Sequence, residues 1–146
     1  MNTKTFFAIL SSLIIILSLK SFKAHNIEVV GKAIKLTTDQ NLMYNKSKKI
    51  IALKGARILA AKGKVMTYKN KIFISIGDIK SPKIYSKANE DGIFKFNISP
   101  GEYTFFIIID DKAYLNSFDG KGNFYSKKID SSTEDLILTD DRDALY

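Results

Sequence analysis

The chain has no cysteine and no tryptophan, and only one histidine and two prolines in 146 residues. Without cysteine there is no disulfide framework, no zinc–thiolate centre, no thiol nucleophile and no site for lipid attachment through a lipobox. With the one histidine, His25, at the expected start of the mature chain and no cysteine, Ser-His and Cys-His nucleophile systems are excluded, since they need an imidazole held beside the attacking atom. Arginine is also scarce, with only Arg57 and Arg142. Arginine is the residue suited to bidentate contacts with phosphates and base edges. The net charge of +8 therefore comes from lysine and does not point to nucleic acid.

What is present fits a packed domain. Hydrophobic residues make up 45% and aromatics 12%, enough for a core and too many for a disordered chain. The first residues form a leader. A short basic start ending at Lys4 precedes the apolar run 6–19 (FFAILSSLIIILSL), the pattern of a secretory signal and shorter than an ordinary membrane span. Residues 1–24 are expected to be a signal peptide cleaved after Ala24. Phe22 at the −3 position and the flanking Lys20 and Lys23 keep an uncleaved anchor open as the alternative. Residues 25–146 then form one domain of about the commonest size, located in the periplasm or outside the cell. Membrane contact is expected only if the leader stays.

The remainder reads as short strands. Alternation or compact apolar runs recur at 27–36, 49–53, 56–61, 64–68, 71–76, 83–86, 93–98, 102–109, 113–118, 124–129 and 135–138. Turn signals separate them: Lys62-Gly63, Lys69-Asn70, Glu90-Asp91-Gly92, Ser99-Pro100-Gly101, Asp110-Asp111 and Asp119-Gly120-Lys121-Gly122. This spacing predicts an all-β fold, an antiparallel β-sandwich of about seven strands. The clearest unit is 91–110. Phe94, Phe96 and Ile98 share one face, and Tyr103, Phe105, Ile107 and Ile109 share another. Pro100-Gly101 reads as a type II turn joining a hairpin. Phe106 and Ile108 make the second strand apolar on both faces, so it should be covered on both sides.

Three stretches here resemble the carboxypeptidase regulatory-like domain, a transthyretin-like (prealbumin-like) sandwich. They are Val29-Val30-Gly31-Lys32-Ala33, Gly55-Ala56-Arg57-Ile58-Leu59-Ala60, and Ala88-Asn89-Glu90-Asp91-Gly92-Ile93-Phe94-Lys95-Phe96 through Ser99-Pro100-Gly101-Glu102-Tyr103-Thr104. The resemblance covers about residues 27–118 and is most specific over the last stretch. The family's Thr-Asp is Lys87-Ala88 here, and the first Pro is Ser99. Residues 63–87 exceed the family's usual link and are expected to add a hairpin. The resemblance implies a non-catalytic module of exported and surface proteins. The matched residues are turn and core residues, so no functional site is carried over.

Candidate chemistry comes from the residues themselves. His25, if exposed by cleavage, offers half of a copper-binding histidine brace, but no second histidine exists to complete it. Asp119-Gly-Lys-Gly-Asn123 is similar to a calcium loop, yet Lys121 stands where a ligand belongs and Asp130 is the nearest later carboxylate. Asp140, Asp141 and Asp143 are the better hard-cation candidates, with Glu134 and Asp135 nearby. The competing reading is an acidic C-terminal tail, solvated or paired with lysines. Residues 25–89 carry 14 Lys+Arg against 3 Asp+Glu, and residues 90–146 carry 6 against 12. In one domain the two halves are expected to interleave. The lysines from Lys46 to Lys71 read as charges guarding strand edges. Tyr85, Tyr103, Tyr114, Tyr125 and Tyr146 could offer stacking surfaces for a sugar. Tyr114, Phe118 and Tyr125, beside the Asp119–Asn123 turn, are the candidate ligand-binding set.

The expectation is thus a non-enzymatic binding or interaction module without a cofactor, whose partner is a protein or glycan of the cell envelope. A carbohydrate- or envelope-binding domain is one form of it. An assembly protein that pairs through a sheet edge is another.

Overall fold

The computed structural model describes residues 25–38 and 48–144; the leader and Tyr146 lie outside them. Ten strands follow in order. The first five are β1 (Ile27–Thr38), β2 (Lys48–Ala52), β3 (Arg57–Lys62), β4 (Phe73–Ser75) and β5 (Lys83–Lys87). Then come β6 (Ile93–Ile98), β7 (Gly101–Ile109), β8 (Lys112–Tyr114), β9 (Lys127–Ile129) and β10 (Thr133–Asp143). A single turn of 3-10 helix at Ile76–Asp78 follows β4. Among the described residues no helix is long and apolar enough to cross a membrane.

The strands form two packed sheets. In sheet A, β1 carries β10 along one side and both β6 and β2 along the other. β6 pairs with residues 27–32 and β2 with residues 34–38, so they lie end to end. The handover is at Ala33, whose N–H donates to the Gly92 carbonyl and whose carbonyl accepts from Leu53 N–H. Sheet B runs β4–β8–β7–β3–β5, with β9 also on β7. All pairings are antiparallel except β1–β10, which is parallel. The chain's last strand enters beside its first, and this gives the antiparallel sandwich one parallel edge.

The 91–110 unit supplies the core as expected, but by a different connection. β6 pairs with β1 in sheet A, while β7 pairs with β3, β8 and β9 in sheet B. The two strands therefore face each other across the interior and are not a hydrogen-bonded hairpin. Ser99-Pro100 arches between the layers, and the Tyr103 hydroxyl donates to the Ser99 carbonyl at 3.0 Å. Gly101 has φ +156, far from the value near +80 that a type II corner needs. The physical reason is the pattern itself. Both strands have an apolar inner face, and opposing those faces in separate layers buries both.

Phe94, Phe96, Ile98, Tyr103, Phe105 and Ile107 meet Val29, Ala33, Ile58 and Leu138 in the inner core. Phe96 and Phe105 join the layers, with ring centroids 5.8 Å apart. The other face of β7 is covered too. Phe106 and Ile108 pack with Leu59, Ala61, Val65, Ile79 and Phe124 in a second core. Its lid is irregular chain. The stretch after β3, expected to form its own hairpin, instead lies across sheet B, where β4 pairs with β8 and Met66 bridges to Asn123, before β5 returns to pair with β3.

The two oppositely charged halves do interleave. Lys35–Asp143, Lys54–Glu90, Arg57–Asp111 and Lys64–Asp119 each join a cation from residues 25–89 to an acid from residues 90–146. Most of these groups are exposed, so each pair adds little stability.

Candidate functional site

β9 pairs with β7 over residues 101–103 and β8 over residues 107–109. Between them no strand of the described residues lies on that side of β7, and residues 115–126 loop outward to connect β8 to β9. The gap opens the flank of the sandwich opposite β10. It forms a cleft of about 340 Å³ with Phe105, Leu136 and Leu138 as its apolar floor and Ser117, Tyr125, Lys127 and Asp135 at its rim. Apolar walls with a few converging polar groups are the usual make-up of a small-ligand site.

Local bonding fixes the rim. The Asp119 carboxylate accepts from the Lys121 N–H at 2.7 Å, the Asn123 side-chain amide at 2.8 Å and the Asn123 N–H at 3.2 Å. The Asn123 amide and these backbone donors hold the Asp119 carboxyl below its ordinary pKa. Asp119 thus closes its own loop, the one that resembles a calcium site. The Tyr125 N–H then bonds the Ser117 carbonyl at 2.9 Å, which holds the Tyr125 backbone while its residue stays 56% exposed. The Asp135 carboxylate accepts from Lys127 Nζ at 2.8 Å and from the Thr133 hydroxyl at 2.5 Å. The Lys127 hydrogen bond, then that of Thr133, lowers the Asp135 pKa to about 2. The rim therefore offers an ammonium, a carboxylate, a hydroxyl and an open aromatic ring.

Of the three residues predicted as a ligand-binding set, only Tyr125 reaches this cleft. Tyr114 is buried in the inner core, with its ring 5.0 Å from Phe73 and its hydroxyl on Asp141. Burial, then the Asp141 carboxylate, pushes the Tyr114 hydroxyl above its ordinary value. Phe118 stacks on Phe124, centroids 5.7 Å apart, in the second core. Strand alternation turns Tyr114 inward, and the outward loop carries Phe118 to the opposite face of sheet B. Nor do the other tyrosines gather. Tyr103 is buried and Tyr85 is exposed on β5.

The acidic C-terminal run is not a tail but the end of β10. Asp140 is buried and accepts two hydrogen bonds from the Arg142 guanidinium, at 2.8 and 2.9 Å. Burial alone would raise the Asp140 pKa, but the Arg142 bonds outweigh it and hold the carboxyl below the ordinary range. Asp141 accepts from the Tyr114 hydroxyl and from Asn116 Nδ2 at 3.0 and 3.2 Å. Asp143 pairs with Lys35 at 2.5 Å. The three candidate cation ligands are thus each held by a different partner. No group of three or more acidic or histidine side chains is placed to hold a metal ion among the described residues. His25 is exposed at the start of those residues.

A second depression, about 420 Å³, lies on the outer face of sheet B beside Met66, Tyr68, Lys71 and Asp78. It is larger, but Lys69 and Lys71 stand 5.1 and 5.8 Å from the Tyr68 ring centre. The Tyr125 ring has no such cation partner described and is the freer platform. Sequence reasoning missed Ser117 and Lys127 and named Asp135 only beside the cation candidates; the three converge only through the pairing of β9 and β10 with other strands.

No family model matches the chain, and no curated protein matches it in sequence. Among solved structures it is similar to a "putative carbohydrate binding protein" from Pseudomonas aeruginosa. The two are 14% identical, with a TM-score of 0.44 over 84% of this chain and 94% of that one.

Proposed function

We propose that this protein is an exported, non-enzymatic binding module that holds a glycan of the cell envelope in the Tyr125 cleft. The observation that carries this reading is the exposed Tyr125 ring standing over an apolar-floored opening rimmed by Asp135, Lys127 and Ser117. A pyranose has one apolar face that stacks on an aromatic ring, and hydroxyls that bond a carboxylate, an ammonium and a hydroxyl at once. The leader supports export, and the resemblance to the carboxypeptidase regulatory-like domain supports a module without chemistry of its own.

A glycan array probed with the purified protein tests the reading. Binding to at least one envelope-type glycan is expected, and Tyr125→Ala should weaken it at least tenfold without moving the melting temperature. Tyr85→Ala, which alters an exposed tyrosine elsewhere, should leave it unchanged. An empty array, or equal binding by Tyr125→Ala, rejects the proposal.

A further inference from the structure

Residues 66–71, in the loop between β3 and β4, form a tip on the outer cover of sheet B. Met66 and Tyr68 are 77% and 68% exposed, the two most exposed large apolar side chains among the described residues. Thr67 between them is half-buried and pinned from behind. Its N–H donates to the Gly122 carbonyl at 3.0 Å, and its hydroxyl donates to the Lys71 carbonyl at 2.8 Å. The Met66–Asn123 bridge ties the tip to the Asp119–Asn123 turn. The apolar pair is thus held out to solvent by a bonded base.

Cations surround the pair. Lys69 and Asn70 both take φ +51, and the Lys71 N–H donates to the Tyr68 carbonyl at 3.2 Å, which closes a tight turn. The turn folds both lysines back on Tyr68, with their ammonium groups 5.1 and 5.8 Å from its ring centre. An aromatic ring attracts an ammonium but carries no net charge to cancel it. No acid of the described residues pairs with Lys69, Lys71 or Lys121, and Lys121 adjoins Gly122 on the neighbouring turn. Met66 also separates two hollows. Lys71 rims the larger, and Lys64 and Lys80 rim the smaller, of about 260 Å³. Lys64 lies 3.9 Å from Asp119, and Lys80 donates to the Gly77 carbonyl. Asp78 lines both hollows. Lys64, Lys69, Lys71, Lys80 and Lys121 therefore face only Asp78 and Asp119, and the tip is positive.

We propose that this tip docks the domain on an anionic lipid bilayer, with Met66 and Tyr68 entering the headgroup layer while Lys69, Lys71 and Lys121 meet lipid phosphates. A soluble polyanion would use the lysines but has no place for two projecting apolar side chains. A bilayer uses both. Tyrosine rings settle at headgroup level, and lysines lay their stems along apolar surface while the ammonium stays among polar groups. Each lysine beside an anionic membrane strengthens binding by about fivefold. Two apolar side chains are too few for permanent insertion, so the contact is reversible and follows the charge of the lipid. The folded domain then meets a membrane by its own surface, whatever becomes of the leader.

The absence of tryptophan makes the docking testable by fluorescence. In the full chain, Tyr68→Trp places a lone indole at the tip, and its emission reports the tip's surroundings whether or not the leader also binds lipid. Phosphatidylglycerol vesicles should shift that emission to the blue, and brominated acyl chains should quench it. Met66→Trp, at the other exposed side chain, should report the same. Phosphatidylcholine vesicles, or phosphatidylglycerol in high salt, should act only at far higher lipid. Adding Lys69→Gln and Lys71→Gln should raise the lipid needed for half the shift by about fivefold for each lysine. Melting curves like that of the unmodified protein check that the variants are folded. Emission that phosphatidylglycerol leaves unmoved in both tryptophan variants overturns the proposal. An equal response to neutral vesicles, or a titration the lysine changes do not move, overturns it as well. So does an equal shift from Tyr85→Trp, the mark of adsorption by any face, or the same shift with polyphosphate in place of vesicles, the mark of a site for a soluble polyanion.

Discussion

Gly31 has no room for a methyl group. A Cβ there would lie 2.3 Å from Phe94 Cζ and 2.7 Å from the Leu136 carbonyl oxygen. Phe94 is a core ring against Phe96, and Leu136 is backbone of the paired strand, so neither can yield cheaply. We expect Gly31→Ala to lower stability by about 1–3 kcal/mol, the usual cost of overpacking, read as a lower urea midpoint with an unchanged slope. An unchanged midpoint would show that β10 does not sit against β1 as described. Gly31 was legible in the sequence as part of a first-strand pattern, but its reason was not, since that lies in a strand more than a hundred residues later. Gly92 was legible with its reason. It stands in a turn, takes φ +77, and a Cβ on it would fall 2.5 Å from the Ala33 carbonyl oxygen. Gly101 shows the opposite case. The Pro-Gly pair promised a tight corner within one sheet, but that pair reads the same when the chain passes between sheets.

At the scale of elements, β10 is the strand the sequence described least well. Its apolar alternation stops at Leu138, so the acids beyond read as a tail. Partners from other parts of the chain extend the strand to Asp143, and none is near in sequence except Arg142. Those attachments make β10 sensitive at both ends of the pH scale. Asp135 titrates near 2 and Asp140 lies below its ordinary 3.8. Both stay ionised in the fold where the unfolded chain takes up protons, so their stabilisation is complete above about pH 4 and is lost as pH falls toward 2. Tyr114 behaves in the reverse sense. Its pKa is raised above 10.0, so the fold keeps the proton that the unfolded chain releases, and stability falls as pH rises past 10. Urea midpoints measured against pH should therefore decline on both limbs. Asp135→Asn with Asp140→Asn should flatten the acid limb, and Tyr114→Phe the alkaline one. Limbs as steep as those of the unmodified protein would deny these groups their part.

At the scale of the molecule, the sequence foretold that β7 is covered on both faces but not by what. Strands of alternating apolar residues announce a sandwich, and these did. The outer cover is made of single apolar residues, Val65, Ile79 and Phe124, set among lysines, glycines and turns, and no period marks them as one layer. The Tyr125 cleft escaped notice for the same reason, since it exists only where β8 and β9 leave a gap on β7. The cover has a measurable consequence. In a plain two-layer sandwich Phe106 would face water, and its replacement would cost little. Here Phe106 is fully buried, with its ring 5.0 Å from that of Phe124 at 81°. Phe106→Ala should then cost about 3–5 kcal/mol, as much as Phe105→Ala in the inner core. A domain of this kind has only about 5–15 kcal/mol in all, so either change should move the urea midpoint by a large part of its range. If Phe106→Ala shifts it by less than about 1 kcal/mol while Phe105→Ala unfolds the protein, the outer layer is not packed as described. Equal losses place the third layer among the elements that hold the molecule folded.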